Sequence, residues 1–452
     1  MQRKLSHTTA LIFLTTVVQG SAMAALYAVD PGPYQPEFGY FASWYQDTHG
    51  RVAELCLSKN VSSRVAGAPG APAFMCSIPA ASDEFNPDLP IEFPGNFPDE
   101  AFWFTADASI VDATTGIDLD FGAAIEAAFA AEAVNEGDQI SFARIRIRVD
   151  VPTPGIYTIT HPYGVEVFNV TPTDFGTDGN RAINMTRDVG MGAPKTYDGA
   201  LRGDVGPFLR SVKGPYTEAN PKGGTDTFIG DPNLLEEVTG SPFNTNYVRI
   251  EGPGGIDVRT NLFSITGKLS KVQLPTPLIT QRSTYSRQTV GGGVVAQEDV
   301  FMLAPPPPGT AKFASGDQTI GMIEANATGN WYGQSAINPA LPKDLQLTAD
   351  NQAAITTSTP TTRPAKLVDL VTIDRAEYSL SSGDVTIAAS TSDRTSPPAL
   401  VATTGHGATI GTMAGSGPNK TLTTGISLIP PARVTVTSAN GGTDTEEVVI
   451  VP

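Results

Sequence analysis

The chain has 452 residues, 46 acidic against 29 basic, and a formal net charge of −17. That length exceeds one ordinary core and suits roughly two to four domains. The acidic balance argues against nucleic acid, whose phosphates need a basic surface; by itself acidity names no ligand.

The first residues are expected to lie outside the fold. Arg3 and Lys4 precede the apolar run ALIFLTTVV and the small-residue site Ala22-Met23-Ala24, the pattern of a secretory signal peptide over residues 1–24. The run is about half the ~20 residues a membrane span needs. No later stretch is apolar enough to span, so the mature chain is expected to be secreted or held at the cell surface. In an oxidising compartment its two cysteines, Cys56 and Cys76, are expected to form one disulfide. Closing that Gly/Ala/Pro/Ser-rich loop stabilises by roughly 3 kcal/mol in the chain-entropy view.

Residues 25–270 read as one large β-sandwich-like domain. Tyr40, Trp44 and Tyr45 in GYFASWYQD are candidates for a sugar-stacking platform, against core packing, which aromatic clusters serve more often. Phe121, Ile125 and Phe129 in FGAAIEAAFAAEA share a helical face, whereas Ile117, Leu119 and Phe121 alternate with Asp118 and Asp120. The expectation is a strand to about Phe121 and a short helix after it.

The segment from Gln139 to Val170 supplies the clearest pattern. Ile145, Ile147, Val149 and Val151 alternate with Arg144, Arg146, Arg148 and Asp150, the period of a half-buried strand. Pro152, Pro154 and Gly155 then interrupt, and Ile156–Ile159 and Val165–Val170 resume the pattern. This predicts an antiparallel hairpin across the Pro/Gly turn. Ile140 and Phe142 have the opposite phase to Ile145, which predicts a bulge or sheet switch near Ala143. The arginine stripe is expected to meet cross-strand carboxylates, with Glu166 and Asp150 as partners; gripping an anionic polymer is the alternative. His161 in THPYG is expected to bond locally. Further on, Asp174, Asp178, Asn180 and Asp188 supply oxygen ligands of the kind Ca²⁺ takes, in a spacing that matches no EF-hand loop; ordinary turn chemistry is the competing reading. Calcium is the one candidate cofactor. Asn246–Leu269 predicts two more strands about a Gly-Pro-Gly-Gly turn.

The C-terminal third repeats itself. Arg282-Ser283-Thr284-Tyr285-Ser286 matches Arg375-Ala376-Glu377-Tyr378-Ser379, and Thr319-Ile320-Gly321-Met322 matches Thr409-Ile410-Gly411-Thr412-Met413. Pro305–Pro308 falls near Pro397-Pro398, and LQLTADN (345–351) matches VTVTSAN (434–440). The two are tandem copies of one unit. Each shows short alternating strands and turn signals, the look of an Ig-like sandwich without the inter-sheet disulfide. The expected division is 271–351, a Thr/Pro-rich linker 352–366, and 367–452. The fold class is therefore all-β: a large N-terminal domain followed by two tandem Ig-like β-sandwiches.

The second copy, with EYSLSSGDVTIAASTSDRTSPPAL and IPPARVTVTSANGGTDTEEVVIV, resembles bacterial Ig-like modules found at the C-termini of exported multidomain proteins. The region around GDQISFARIRIRVDVPTPGIYTITHPYGVEVF and GSPFNTNYVRIEGP resembles the leading part of uncharacterised exported β-rich proteins that carry such modules. The resemblance implies an extracellular structural or binding role and assigns no catalytic residue.

Motifs for chemistry are absent. His49, His161 and His406 are far apart and have no ligand-spaced company; no Gly-x-Ser-x-Gly elbow and no phosphate-cradling glycine loop occurs. The leading expectation is a non-enzymatic structural or adhesive protein, a self-assembling surface or filament component among the forms it could take. A soluble carbohydrate- or calcium-binding protein is the alternative, and a hydrolase ranks third. Partners are expected among copies of itself, other extracellular proteins and glycans.

Overall fold

The computed structural model describes residues 25–68, 71–175, 181–338, 340–426 and 429–452. The expected signal peptide, 1–24, lies outside them. Among the described residues the chain is all-β, with helix only in four short 3-10 turns. No helix among the described residues is long and apolar enough to cross a membrane.

The N-terminal domain is built on a seven-stranded sheet. Its order is Arg210–Ser211, Glu236–Thr239, Leu262–Thr266, Glu100–Asp112, Ile117–Phe129, Gln139–Asp150, Ile183–Val189. Ile117, Leu119, Phe121, Ala123, Ile125, Ala127 and Phe129 all point to one buried face, and the neighbouring strand adds Gln139, Ser141, Ala143, Ile145, Ile147 and Val149. That face shares one core with a six-stranded sheet containing Trp44–Asp47 and Val52–Glu54, and with the four-stranded sheet Ile256–Thr260, Val248–Gly252, Gly155–His161, Gly164–Val170.

The strand does not give way to a helix after Phe121: it runs unbroken to Phe129, paired on both edges. A spacing of four satisfies both a 3.6 and a 2.0 period, so Phe121, Ile125 and Phe129 share a strand face too, and pairing on both sides overrides the helix preference of alanine. Gln139–Val170 is also not one hairpin. Gln139–Asp150 pairs with Ile117–Phe129 and Ile183–Val189, whereas Gly155–His161 pairs with Gly164–Val170 and Val248–Gly252 in another sheet. The Pro/Gly break is a sheet switch, since proline removes a ladder donor. Nor is there a bulge at Ala143, where pairing is continuous. The core face simply turns polar: Ser141 Oγ meets the Tyr45 hydroxyl at 2.7 Å, and Gln139 Nε2 donates to the Gly39 carbonyl at 2.8 Å. The bulge lies instead on the Glu100–Asp112 strand, between Phe102 and Phe104.

Val248–Gly252 and Ile256–Thr260 form the expected hairpin about Pro253–Gly255. Cys56 and Cys76 are disulfide-bonded, 20 residues apart, and pack with Met75 and Phe228.

The two C-terminal sandwiches share one topology. In the first, Ile279–Val290 pairs with Gly293–Leu303 and, in parallel, with Val368–Asp369; the facing sheet runs Gln318–Gly321, Thr310–Ser315, Asp344–Asp350, Thr361–Lys366. In the second, Val371–Ser379 pairs with Asp384–Thr391 and, in parallel, with Val449–Val451; the facing sheet runs Thr409–Thr412, Leu400–Thr404, Arg433–Ser438, Thr443–Glu447. Even the register shifts coincide, at Thr280/Arg282 and Ile373/Arg375. Met322 and Met413 are both buried. The expected linker 352–366 is not one. Thr361–Lys366 is the edge strand of the first sandwich, and only Leu370 separates Asp369 from the second. Its proline, Pro364, is tolerated because an edge strand has one unpaired side.

Candidate functional site

The outer face of the seven-stranded sheet is set by register. One row across it reads Ser264, Asp107, Gly122, Arg146, Thr186, and the next Thr105, Ala124, Arg144, Asp188. Gly122 and Ala124 carry too little side chain to fill the space above their strand. A hollow of about 290 Å³ results, lined by Phe102, Thr105, Asp107, Glu126, Arg144 and Arg146 among others. The disulfide-clamped loop reaches its rim at Ser77, whose hydroxyl meets Thr266 Oγ1 at 2.8 Å.

The charges in this hollow divide into satisfied and unsatisfied. Arg144 holds Asp188 through Nε at 2.7 Å and Nη2 at 2.9 Å, and its Nη1 reaches both oxygens of Glu126 at 3.0–3.1 Å. One guanidinium thus serves two carboxylates, with Glu100 close by. Burial pushes the Glu126 carboxyl up to about 8 although Arg144 opposes the shift. Arg146, by contrast, makes no hydrogen bond or ion pair among the described residues, and its Nε is shut off from solvent without a partner. Asp107 has no ion-pair partner among the described residues; its side chain reaches the surface, yet desolvation in the hollow pushes its carboxyl up to about 6. The carboxylates expected to answer the arginine stripe, Glu166 and Asp150, do not. Glu166 belongs to the four-stranded sheet and pairs with Arg187 at 2.6 Å, while Asp150 lies by Arg181. The sheet switch after Asp150 carries Glu166 away from the stripe.

Sequence singles out Arg144, Arg146 and Arg148 but misses Asp107, Gly122 and Glu126. The available signal is Gly122 and Ala124 alternating with Phe121, Ala123 and Ile125: small residues on the outer face of a strand whose inner face is core.

The expected aromatic platform is not assembled as a unit. Tyr45 is wholly buried, its hydroxyl donating to the Tyr197 carbonyl at 2.7 Å. Its ring packs edge-on against Trp103. Tyr40 packs on Phe93 beside Lys195, and Trp44 is half-buried on the strand Trp44–Asp47. Of the expected calcium ligands, Asp178 and Asn180 lie outside the described residues. Asp174 caps its own turn by accepting from Thr171 N and Oγ1, and Asp188 is engaged by Arg144. No metal-holding group of three or more His, Cys, Asp or Glu occurs among the described residues. His161 is buried against Phe121, with Nδ1 accepting from Tyr163 N at 3.3 Å. Its Nε2 lies 3.9 Å from Glu166, whose carboxyl is held down to about 2 by His161 and Arg187.

The domains meet through built junctions. His49 is buried against the first sandwich, with Nε2 at 3.2 Å from the Thr328 carbonyl, while Asn351 Nδ2 donates to the His49 carbonyl at 3.1 Å. Burial, aided by Arg51, holds the His49 ring down to about 3, so it is neutral at ordinary pH. At the second junction the buried Asp393 accepts from the Tyr285 hydroxyl at 3.0 Å and from Arg287 Nε at 3.1 Å. Arg287 N donates to the Ser392 carbonyl and Arg394 N to the Arg287 carbonyl, at 3.1 and 2.7 Å.

No protein-family model and no curated protein sequence matches this chain. Among solved structures the chain is similar to the ectodomain of the teleost fish polymeric Ig receptor, at 8% identity and a TM-score of 0.20, covering 38% of this chain and 98% of that one. It is similar to SGBP-B of the Bacteroides ovatus mixed-linkage glucan utilization locus, solved with a mixed-linkage heptasaccharide, at 14% identity and 0.18, covering 45% and 52%. Domains 1–5 of Sidekick-1 give 10% identity and 0.14, covering 75% and 67%.

Proposed function

We propose that the chain is a secreted structural or adhesive protein in which two Ig-like sandwiches form a stiff stalk for the N-terminal domain. The observation that carries this is the absence of a tether: neighbouring bodies are joined by buried polar contacts at His49–Thr328 and Arg287–Asp393. Such contacts fix orientation, where a Gly/Ser linker would leave it free. A stiff spacer suits presentation of a surface at a distance and suits no soluble, freely tumbling role in particular. Small-angle X-ray scattering on residues 25–452 tests it. One narrow distance distribution is expected, and a broad distribution of inter-domain distances would refute the stalk.

A hydrolase reading has one feature in its favour: burial raises the Glu126 carboxyl to about 8 in the hollow that Asp107 also lines. It stands second because both Glu126 oxygens face the Arg144 guanidinium, which marks a held structural acid rather than one aimed at a substrate.

A further inference from the structure

We propose that the hollow on the outer face of the seven-stranded sheet binds a neutral glycan, Arg146 donating to and Asp107 accepting from hydroxyls of a sugar seated over Gly122 and Ala124. This deepens the reading of the N-terminal domain as the presented head, and rests on it only in that respect.

Asp107, Gly122 and Arg146 are consecutive in one register row. Two strand spacings separate the backbones of the charged pair by about 10 Å, and glycine puts no side chain between them. The Asp107 carboxylate leans over Gly122, with Oδ1 3.1 Å from where a Cβ would stand, yet the two groups form no ion pair. Elsewhere in the domain Arg144, Arg181, Arg187 and Arg249 have carboxylate partners, whereas Arg146, like Arg210, stands outside any ion pair among the described residues with its Nε buried and without a partner. An unmet buried donor is costly, and a ligand group that accepts from it relieves that cost.

The chemistry of the occupant follows from the pair. An anion would be drawn to Arg146 but would meet the Asp107 and Glu100 carboxylates, while Glu126, raised to about 8 by burial, adds no charge near neutral pH; a cation meets the reverse. A hydroxyl donates and accepts at once, so a ring carrying adjacent hydroxyls bridges the two without net charge. Phe102 at the edge of the hollow offers an apolar wall for the C–H face of such a ring. Along the strands the next row is Ser109, Asp120, Arg148, Asn184, in which Asp120 is already taken up by Arg181 Nη2 at 3.0 Å and Arg148 is exposed.

The test is affinity electrophoresis of residues 25–452 in gels containing dextran, laminarin, xyloglucan or galactomannan, with polygalacturonate as the anionic contrast. At least one neutral polymer is expected to retard the protein. Arg146→Ala and Asp107→Ala should each weaken that retardation at least tenfold while keeping the wild-type melting midpoint. Gly122→Val should abolish it, since even a Cβ there comes within 3.1 Å of Asp107 Oδ1. Retardation by no neutral polymer, retardation indifferent to all three substitutions, or retardation by polygalacturonate alone each overturns the assignment. A broad scattering distribution would remove the stalk and leave the groove standing; loss of retardation would do the reverse.

Discussion

Replacing Arg287 by alanine should loosen the second sandwich from the first without unfolding either. Asp393 is 0% exposed and Arg287 29% exposed at their side chains. Burial alone would raise the Asp393 carboxyl; Arg287, Ser396 N–H and the Tyr285 hydroxyl outweigh it and hold the group below its usual range. Removing one member of a buried pair costs about 3–5 kcal/mol. Here Tyr285 and the Thr395 and Ser396 amides, at 3.2 and 2.9 Å, still satisfy the carboxylate, so about 2 kcal/mol is expected. For units of this size that is roughly an 8–16 °C fall in the transition of the second sandwich. Asp393→Ala should cost more, because it also frees the loop amides, and the double variant should be non-additive by about 1–2 kcal/mol. Calorimetry reads the transitions and scattering reads the inter-domain distances. An Arg287→Ala protein with an unchanged midpoint and an unchanged distance distribution would show that the ion pair does not hold the junction.

Three further outcomes are expected. His49 has a folded value of about 3 against 6.5 free, so the unfolded chain takes the proton first, and stability falls by up to about 1.4 kcal/mol per unit as pH drops from about 6.5 toward 3. Asp47 opposes this: burial lifts it from 3.8 to about 6, and the native state then holds a proton the unfolded chain has lost, so its term falls as pH rises through that window. The two nearly cancel between about pH 4 and 6, and Asp47→Asn should expose the His49 slope in urea midpoints; an unchanged profile counts against both assignments. Cys56→Ala with Cys76→Ala should lower stability by about 3 kcal/mol, read as a shift in denaturant midpoint, and no shift would mean the loop is held by other contacts. Phe313→Ala empties the core of the first sandwich, where Phe313 is wholly buried; a cost of about 3–5 kcal/mol confined to one calorimetric transition is expected, and a loss spread over all transitions would contradict separate cores.

The all-β class, the repeat and the cysteine pair are legible because each depends on local pattern: alternation, spacing and parity. The errors share one cause, which is that pairing partners are not written locally. Phe121, Ile125 and Phe129 fit two periods, and only the flanking strands decide between them. Ile145 and Gln139 lie on one core face, yet a buried glutamine looks like an exposed one until its acceptor at Gly39 is known. The hollow is half legible. The arginine stripe is visible along one strand, but Asp107 and Gly122 join it only through register across three strands.

The repeat also explains how the bodies stack. Tyr285 faces Glu298 and Tyr378 faces Val385 across equivalent strand pairs, so the loop at Pro305-Pro306 in the first copy corresponds to Ser392-Asp393 in the second. The second loop seats on the first sandwich at Arg287. The first lies against the N-terminal domain, where a Cβ on Gly50 would come 3.5 Å from Pro305. The same end of each sandwich therefore rests on the body before it, and Trp331 fixes the first loop by donating to the Ala304 and Pro305 carbonyls at 3.2 Å. The chemistry of the two contacts differs: a rigid proline tract against a neutral histidine turn in one, an ion pair in the other. Where the first copy has Arg287 the second has Leu380, 67% exposed, so the ionic half of the contact belongs to one copy alone. The shared topology of the two sandwiches sets which end makes the contact, and single positions such as Arg287 against Leu380 set the chemistry of each joint.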